Sequence, residues 1–199
     1  MRVGHMKKLF LVGAQGLLFT SLALAEHYPA SSMNFHIDVG QARQDINPSD
    51  FPPGTDIDDE DIAFRAGIGL RTGLLGGNIS YINFGQSAVS TPTASAEADT
   101  YGLGFDLQLD LPLSEYSSFF VKGGILSWEQ VTDEHQAGTN FVTRYREDGA
   151  DPYWGVGFRF SGAPGMNIKI EYDRFEFKDN GSDVVADYDL VTVGLEFFM

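Results

Sequence analysis

Alternation of apolar and polar residues with a period of two recurs along this chain and limits what it can fold into. In residues 33–43, Met33, Phe35, Ile37 and Val39 alternate with Asn34, His36, Asp38 and Gly40. Residues 62–72 set Ile62, Phe64, Ala66, Ile68 and Leu70 against Arg65, Gly67, Gly69 and Arg71. Residues 100–111 oppose Tyr101, Leu103, Phe105, Leu107, Leu109 and Leu111 to Gly102, Gly104, Asp106, Gln108 and Asp110. Residues 153–161 place Trp154, Val156, Phe158 and Phe160 opposite Gly155, Gly157 and Arg159. Successive side chains of a strand point to opposite faces, so each segment reads as a two-faced β-strand. Residues 77–86, 118–130 and 167–178 alternate less tidily, and the chain closes on Val191, Val193, Leu195, Phe197 and Met199.

The connections between these segments differ in length in a regular way. Residues 73–76, 112–117 and 162–165 are short; residues 44–61, 87–99 and 131–152 are long, and 179–186 is intermediate. Short alternating with long is the plan of a membrane barrel with tight turns at one end and larger loops at the other. Strands of about ten residues match the ~9–11 needed to cross a bilayer at a tilt. The expected fold is all-β: an eight-stranded antiparallel up-and-down transmembrane β-barrel.

The less apolar face carries Asp38, Arg65, Arg71, Asp106, Asp110, Lys122, Arg159, Lys169, Glu171, Asp173 and Glu196. Facing lipid, each Arg or Lys would cost ~2–4 kcal/mol at the midplane. Facing inward, cations and anions in nearly equal number can pair. An eight-stranded barrel is just wide enough for its side chains to fill. These residues are therefore assigned to a lumen charge network and the apolar face to lipid. Tyr101, Trp154 and Phe197, near strand ends, suit interfacial girdles. The last strand, Val191 to Met199, closes the ring against the first, because a lipid-exposed sheet edge is not tolerated.

Four stretches in order carry a family resemblance: SYINFG from Ser80, FFVKGG from Phe119, IEYDRFEF from Ile170 and DYDLVTVGLEF from Asp187. They resemble strands three, five, seven and eight of the OmpA-like, OmpX-type small outer-membrane barrels. The terminal strand is similar to the sorting signal of such proteins, although the chain ends on Met199 where the family usually ends on Phe. The resemblance implies a Gram-negative outer membrane, delivery by the barrel assembly machinery, and lipid and lipopolysaccharide as surroundings. Nothing in the sequence resembles the peptidoglycan-binding domain of longer members.

The first residues fit that destination. Arg2, Lys7 and Lys8 precede an apolar run and Ala23-Leu24-Ala25, the pattern of a cleaved secretory signal. Residues 1–25 are read as the signal and 26–199 as the barrel. There is no cysteine, hence no disulfide or thiolate metal site. The net charge is −15, and removing the basic leader makes it more negative. Such a surface repels nucleic acid.

No catalytic set is evident. A lipid-attacking deacylase would place His and Ser two apart on a lipid-facing strand, and His36 is followed at that distance by Asp38. No cofactor is expected. The stretch Asp56, Asp58, Asp59, Glu60 and Asp61 is a weak candidate for hard cations, though it lacks the calcium-loop pattern. Phe141, Arg144, Tyr145 and Arg146, in the third long connection, are candidates for surface contact, since aromatics and Arg anchor interfaces. Three functions are open: a non-enzymatic monomeric surface barrel for envelope integrity, adhesion or host contact; a lipid A-modifying enzyme; and a narrow channel.

Overall fold

The computed structural model describes residues 31–199, apart from 48, 50, 137, 139, 140 and 180–182, and the side chains of 179 and 183–185. The expected signal at residues 1–25 lies outside the described residues. The described chain forms β1 (Ser32–Gln44), β2 (Asp56–Asp58), β3 (Glu60–Thr72), β4 (Leu75–Ser90), β5 (Ala94–Ser114), β6 (Ser117–Gln136), β7 (Val142–Ala163), β8 (Met166–Asp179) and β9 (Asp183–Phe198). Eight of these are long staves, each antiparallel to its neighbours. The pairing runs β4-β3-β1-β9-β8-β7-β6-β5 and closes through β4–β5. The three-residue β2, which the periodicity does not reveal, adds to β4 outside the ring.

The first and last staves meet in register, with Phe35 opposite Phe197 and Ile37 opposite Leu195. Both pairs lie on the outer face, where Met33, Val39, Ile68, Leu107, Ile125, Trp154, Ile170 and Val193 are also exposed. An apolar belt this continuous is a surface for lipid, since water-facing patches of soluble monomers rarely exceed a few hundred Å².

The staves are longer than the alternation suggests. β5, β6 and β7 have 21, 20 and 22 residues, about twice the ~9–11 that a bilayer needs. Two expected loops are therefore largely strand. Residues 87–99 fold as the tip of a β4–β5 hairpin turning over Thr91–Ala94, where Thr91 N donates to Ala94 O at 2.7 Å. Most of 131–152 is the β6–β7 hairpin, paired from Ser117–Phe160 out to His135–Val142. Projecting backbone must be hydrogen-bonded or solvated, and pairing with the adjacent stave satisfies one edge at once.

One irregularity decides which side chains face inward. β4 carries a bulge between Asn83 and Gln86, with Gly85 at φ 78°. Asn83 Oδ1 accepts the Gly85 N–H at 2.9 Å and Asp61 Oδ2 accepts the Gln86 N–H at 2.7 Å. Before the bulge Ile82 and Phe84 are buried; after it Ser87 is. The extra residue reverses the parity of the strand beyond it; before it the alternation reads as untidy because Ile82 and Phe84 are apolar on the inward face while Ile79 and Tyr81 are apolar on the outer one.

Candidate functional site

The inward face is layered. Near the end with the short turns, Arg159 pairs with Asp110 and, through Nε, with Glu196 Oε2 at 2.6 Å. Arg71 Nη2 lies 3.3 Å from Asp110 and 3.7 Å from Glu196. Asn167 Nδ2 donates to Glu196 at 3.4 Å. The Phe198 ring lies 5.2 Å from the Arg71 guanidinium, closing this layer from below.

The next layer holds three cations and three anions. The Arg65 guanidinium donates to both Glu171 and Asp173, reaching across the lumen from β3 to β8. Lys122 pairs with Glu171 and lies 3.0 Å from Asp173 Oδ1. Lys169 Nζ is 3.4 Å from Glu171 and 3.0 Å from Asp38 Oδ2, the latter off the direction a hydrogen bond needs. Asp106 is held differently: Tyr153 Oη and Asn78 Nδ2 donate to it at 2.8 and 2.7 Å. All eleven charged residues assigned to the lumen are buried.

Above them the lumen turns aromatic. Phe84 stands edge-on to Phe175 and Phe177 at 4.9 and 5.6 Å between centroids. Trp128 stacks on Phe177 at 4.8 Å and Tyr153 on Phe175 at 4.7 Å. Ile82, Leu126 and Leu190 complete this plug. Charge guided the sequence assignment of the inward face, so these residues were missed. The usable signal was parity: Phe175 and Phe177 continue the face of Lys169, Glu171 and Asp173, and Trp128 that of Lys122. Asp151, at the hairpin end of β7, accepts from Trp128 Nε1 at 2.8 Å and from the Lys178 N–H at 2.9 Å. It ties β7 to β8 where their ladder ends at Tyr153–Phe175.

His36 does meet a serine, from another strand: its Nε2 is 3.1 Å from Ser80 Oγ. Both are buried in the lumen, away from the lipid-facing surface where an acyl ester would lie.

The remaining candidates sit at the hairpin end. Asp56 and Asp58 lie on β2, and Glu60 and Asp61 on β3. Asp59 and Glu60 lie 3.2 and 3.7 Å from Arg43 Nε, and Asp61 receives the Ile62 and Gln86 N–H groups. No group of three His, Cys, Asp or Glu converges as a metal site among the described residues. Arg144, Tyr145 and Arg146 belong to β7 rather than to a loop. Arg144 makes a two-pronged pair with Asp133, both bonds 2.7 Å, and Arg146 lies 2.9 Å from Glu129. Their heads are thus engaged within the hairpin, where Phe141, Val142 and Tyr145 are 78%, 52% and 51% exposed.

A family model described as outer membrane protein beta-barrel domain matches residues 16–197. Among solved structures, Neisserial surface protein A is similar at 11% identity and TM-score 0.55, over 85% of this chain and 99% of that one. Ail, the attachment invasion locus protein of Yersinia pestis, in complex with the heparin analogue sucrose octasulfate, is similar at 13% identity and TM-score 0.52, over 85% and 97%. OprG from Pseudomonas aeruginosa is similar at 14% identity and TM-score 0.50, over 85% and 97%. At these identities the likeness is one of fold. No curated protein matches the chain by sequence.

Proposed function

The chain belongs to the outer membrane protein beta-barrel domain family, and on that premise we propose that it is a non-enzymatic, monomeric surface barrel whose closed lumen carries a platform of β-hairpins outside the cell. The short turns face the periplasm and the long hairpins the exterior, the orientation usual for such barrels. The observation that carries this reading is the filled lumen. Two ion-paired layers and an aromatic plug lie in series, so a solute crossing the barrel would have to part buried ion pairs. Breaking such a pair by removing one partner costs about 3–5 kcal/mol.

The lumen network serves stability, and specific work falls to the hairpins, as loops and tips do on other rigid scaffolds. Lipid and lipopolysaccharide surround the apolar belt, and the assembly machinery reads the β9 strand. The lipid A-modifying alternative is disfavoured by the His36–Ser80 contact being enclosed in the lumen. Contact with a polyanion, suggested by the sulfated ligand in the Ail structure, is disfavoured by the net charge of −15.

Planar-bilayer recording of the purified barrel tests the reading. The expected result is no stable conductance above the bare membrane. Regular single-channel steps would overturn it in favour of a channel. Mass spectrometry of lipid A from cells with and without the protein should show identical acyl patterns; a changed pattern would make it an enzyme.

A further inference from the structure

Above the aromatic plug the barrel opens at the hairpin end into a bowl of about 370 Å³, at the small end of ligand pockets, ~300–1,000 Å³. Its floor is oriented by hydrogen bonds. Ser87 Oγ donates to Gln44 Oε1 at 2.5 Å, and Tyr188 Oη donates to the same oxygen at 3.3 Å. Tyr188 Oη is in turn 3.0 Å from Thr100 Oγ1. With its carbonyl oxygen engaged by two donors, the Gln44 side chain keeps its NH₂ for whatever occupies the bowl.

Gln130 is the second, independent feature. It lines the bowl and is 5% exposed, and its side-chain amide has no hydrogen-bond partner among the described residues. Its amide therefore faces the open bowl, where an occupant would replace water as its partner. Glu147 is its direct neighbour across the β6–β7 ladder, and Asp45 is the other carboxylate at the wall. Val89 and Phe51 supply apolar surface between the polar groups.

We propose that this bowl binds an uncharged saccharide unit. Amide donors next to carboxylate acceptors suit vicinal hydroxyls, which both donate and accept. The apolar wall suits the C–H face of a sugar ring. A bare metal cation would use the carboxylates but leave the donors of Gln44 and Gln130 unmatched. A sulfated, phosphorylated or carboxylated sugar would bring its negative charge beside the exposed carboxylates of Asp45 and Glu147, which repel it. The inference rests on the reading that the hairpin end faces the cell exterior, where glycans lie.

The test uses the full barrel in an amine-oxide detergent, which has no sugar headgroup, and saturation-transfer NMR titrations. The probes are lactose, maltotriose, dephosphorylated and carboxyl-reduced oligosaccharide released from the producing strain's lipopolysaccharide, and 3′-sialyllactose. The expected result is saturable binding of at least one uncharged probe, with sialyllactose weaker than lactose. Gln130→Ala should weaken binding tenfold or more while keeping the shift in gel mobility on boiling. Glu147→Ala, on the projecting hairpin, supplies a second variant with the same expectation, and Tyr116→Ala at the opposite end should bind as the parent does. Binding confined to the lipopolysaccharide oligosaccharide would make the ligand the cell's own envelope; binding of lactose or maltotriose would make it a foreign glycan. Either supports the proposal. No saturable binding by any probe, tighter binding of sialyllactose, or binding unchanged by both bowl substitutions would overturn it. A silent conductance record beside a failed titration would sink the saccharide site alone, leaving the closed-barrel reading intact.

Discussion

Gly194 sits where the carboxylate of Asp38 passes: a Cβ at Gly194 would lie 1.6 Å from Asp38 Oδ1. The two residues are directly paired across β1–β9, the seam that closes the ring. One lumen position must be empty so that its neighbour can be charged and still reach Lys169.

That relationship gives the first prediction. Gly194→Ala should sharply reduce the fraction of barrel that shifts on boiling, because Asp38 must leave its place or the seam must part. Asp38→Ala combined with Gly194→Ala should recover part of the loss, since the remaining close contact is the Ile37 carbonyl at 2.9 Å. Equal damage in single and double variants would mean that the crowding is with backbone rather than with the carboxylate.

Arg65 is the hub of the middle layer, and Arg65→Ala should destabilise the barrel by about 3–5 kcal/mol, because Glu171 and Asp173 would lose the guanidinium they share and three buried anions would be left with two lysines. Removing one carboxylate as well, in an Arg65→Met, Asp173→Asn variant that leaves Lys122 and Lys169 with Glu171 and Asp38, should restore much of the urea midpoint. An unchanged midpoint in the single variant would show that water reaches the layer.

The aromatic plug should behave as a packed core. Phe177→Ala removes a ring stacked on Trp128 and set against Phe84, and the cost for Phe→Ala in a core is about 3–5 kcal/mol. Trp128 fluorescence should shift to the red as water enters. An unshifted spectrum would argue that Trp128 was solvated before the change.

Damage to β9 should follow depth and pairing. Deleting residues 195–199 should be worst, since it leaves part of β1 unpaired in the membrane, where each open backbone group is costly. Phe197→Asp should come next, placing a charge on the outer face near an interface. Glu196→Gln should assemble, because an amide can still accept from Arg159 Nε. The mobility shift on boiling scores all three, and a different order would displace β9 from its seam.

A pH effect belongs to the outer hairpin. The hydrogen bonds from Arg144 hold the Asp133 carboxyl below its ordinary pKa. A depressed folded-state pKa contributes stability above the unfolded value, and the contribution is lost as pH falls through the folded one. NMR titration should therefore find Asp133 ionising at a lower pH than in an Arg144→Ala variant. Identical curves would mean that the pair is not held in solution.

The barrel and the inward set of charges were legible because both follow from a local rule. A strand alternates with a period of two, and ionised groups are too costly on a lipid face, so Asp38, Arg65 and Glu196 declare their side one by one. Their partners were not legible. Arg65 meets Glu171 and Asp173 from more than a hundred residues away, and only the shear of the closed sheet sets which staves face each other across the lumen. The β4 bulge likewise hides from periodicity, because one extra residue reverses every later side chain. Length and closure decided the rest. The strands run past the bilayer into hairpins because each projecting segment finds a neighbour to pair with, and closure brings Phe84, Trp128, Phe177 and Tyr188 together at one height. Alternation is a property of the chain, but the height at which two side chains meet is a property of the ring.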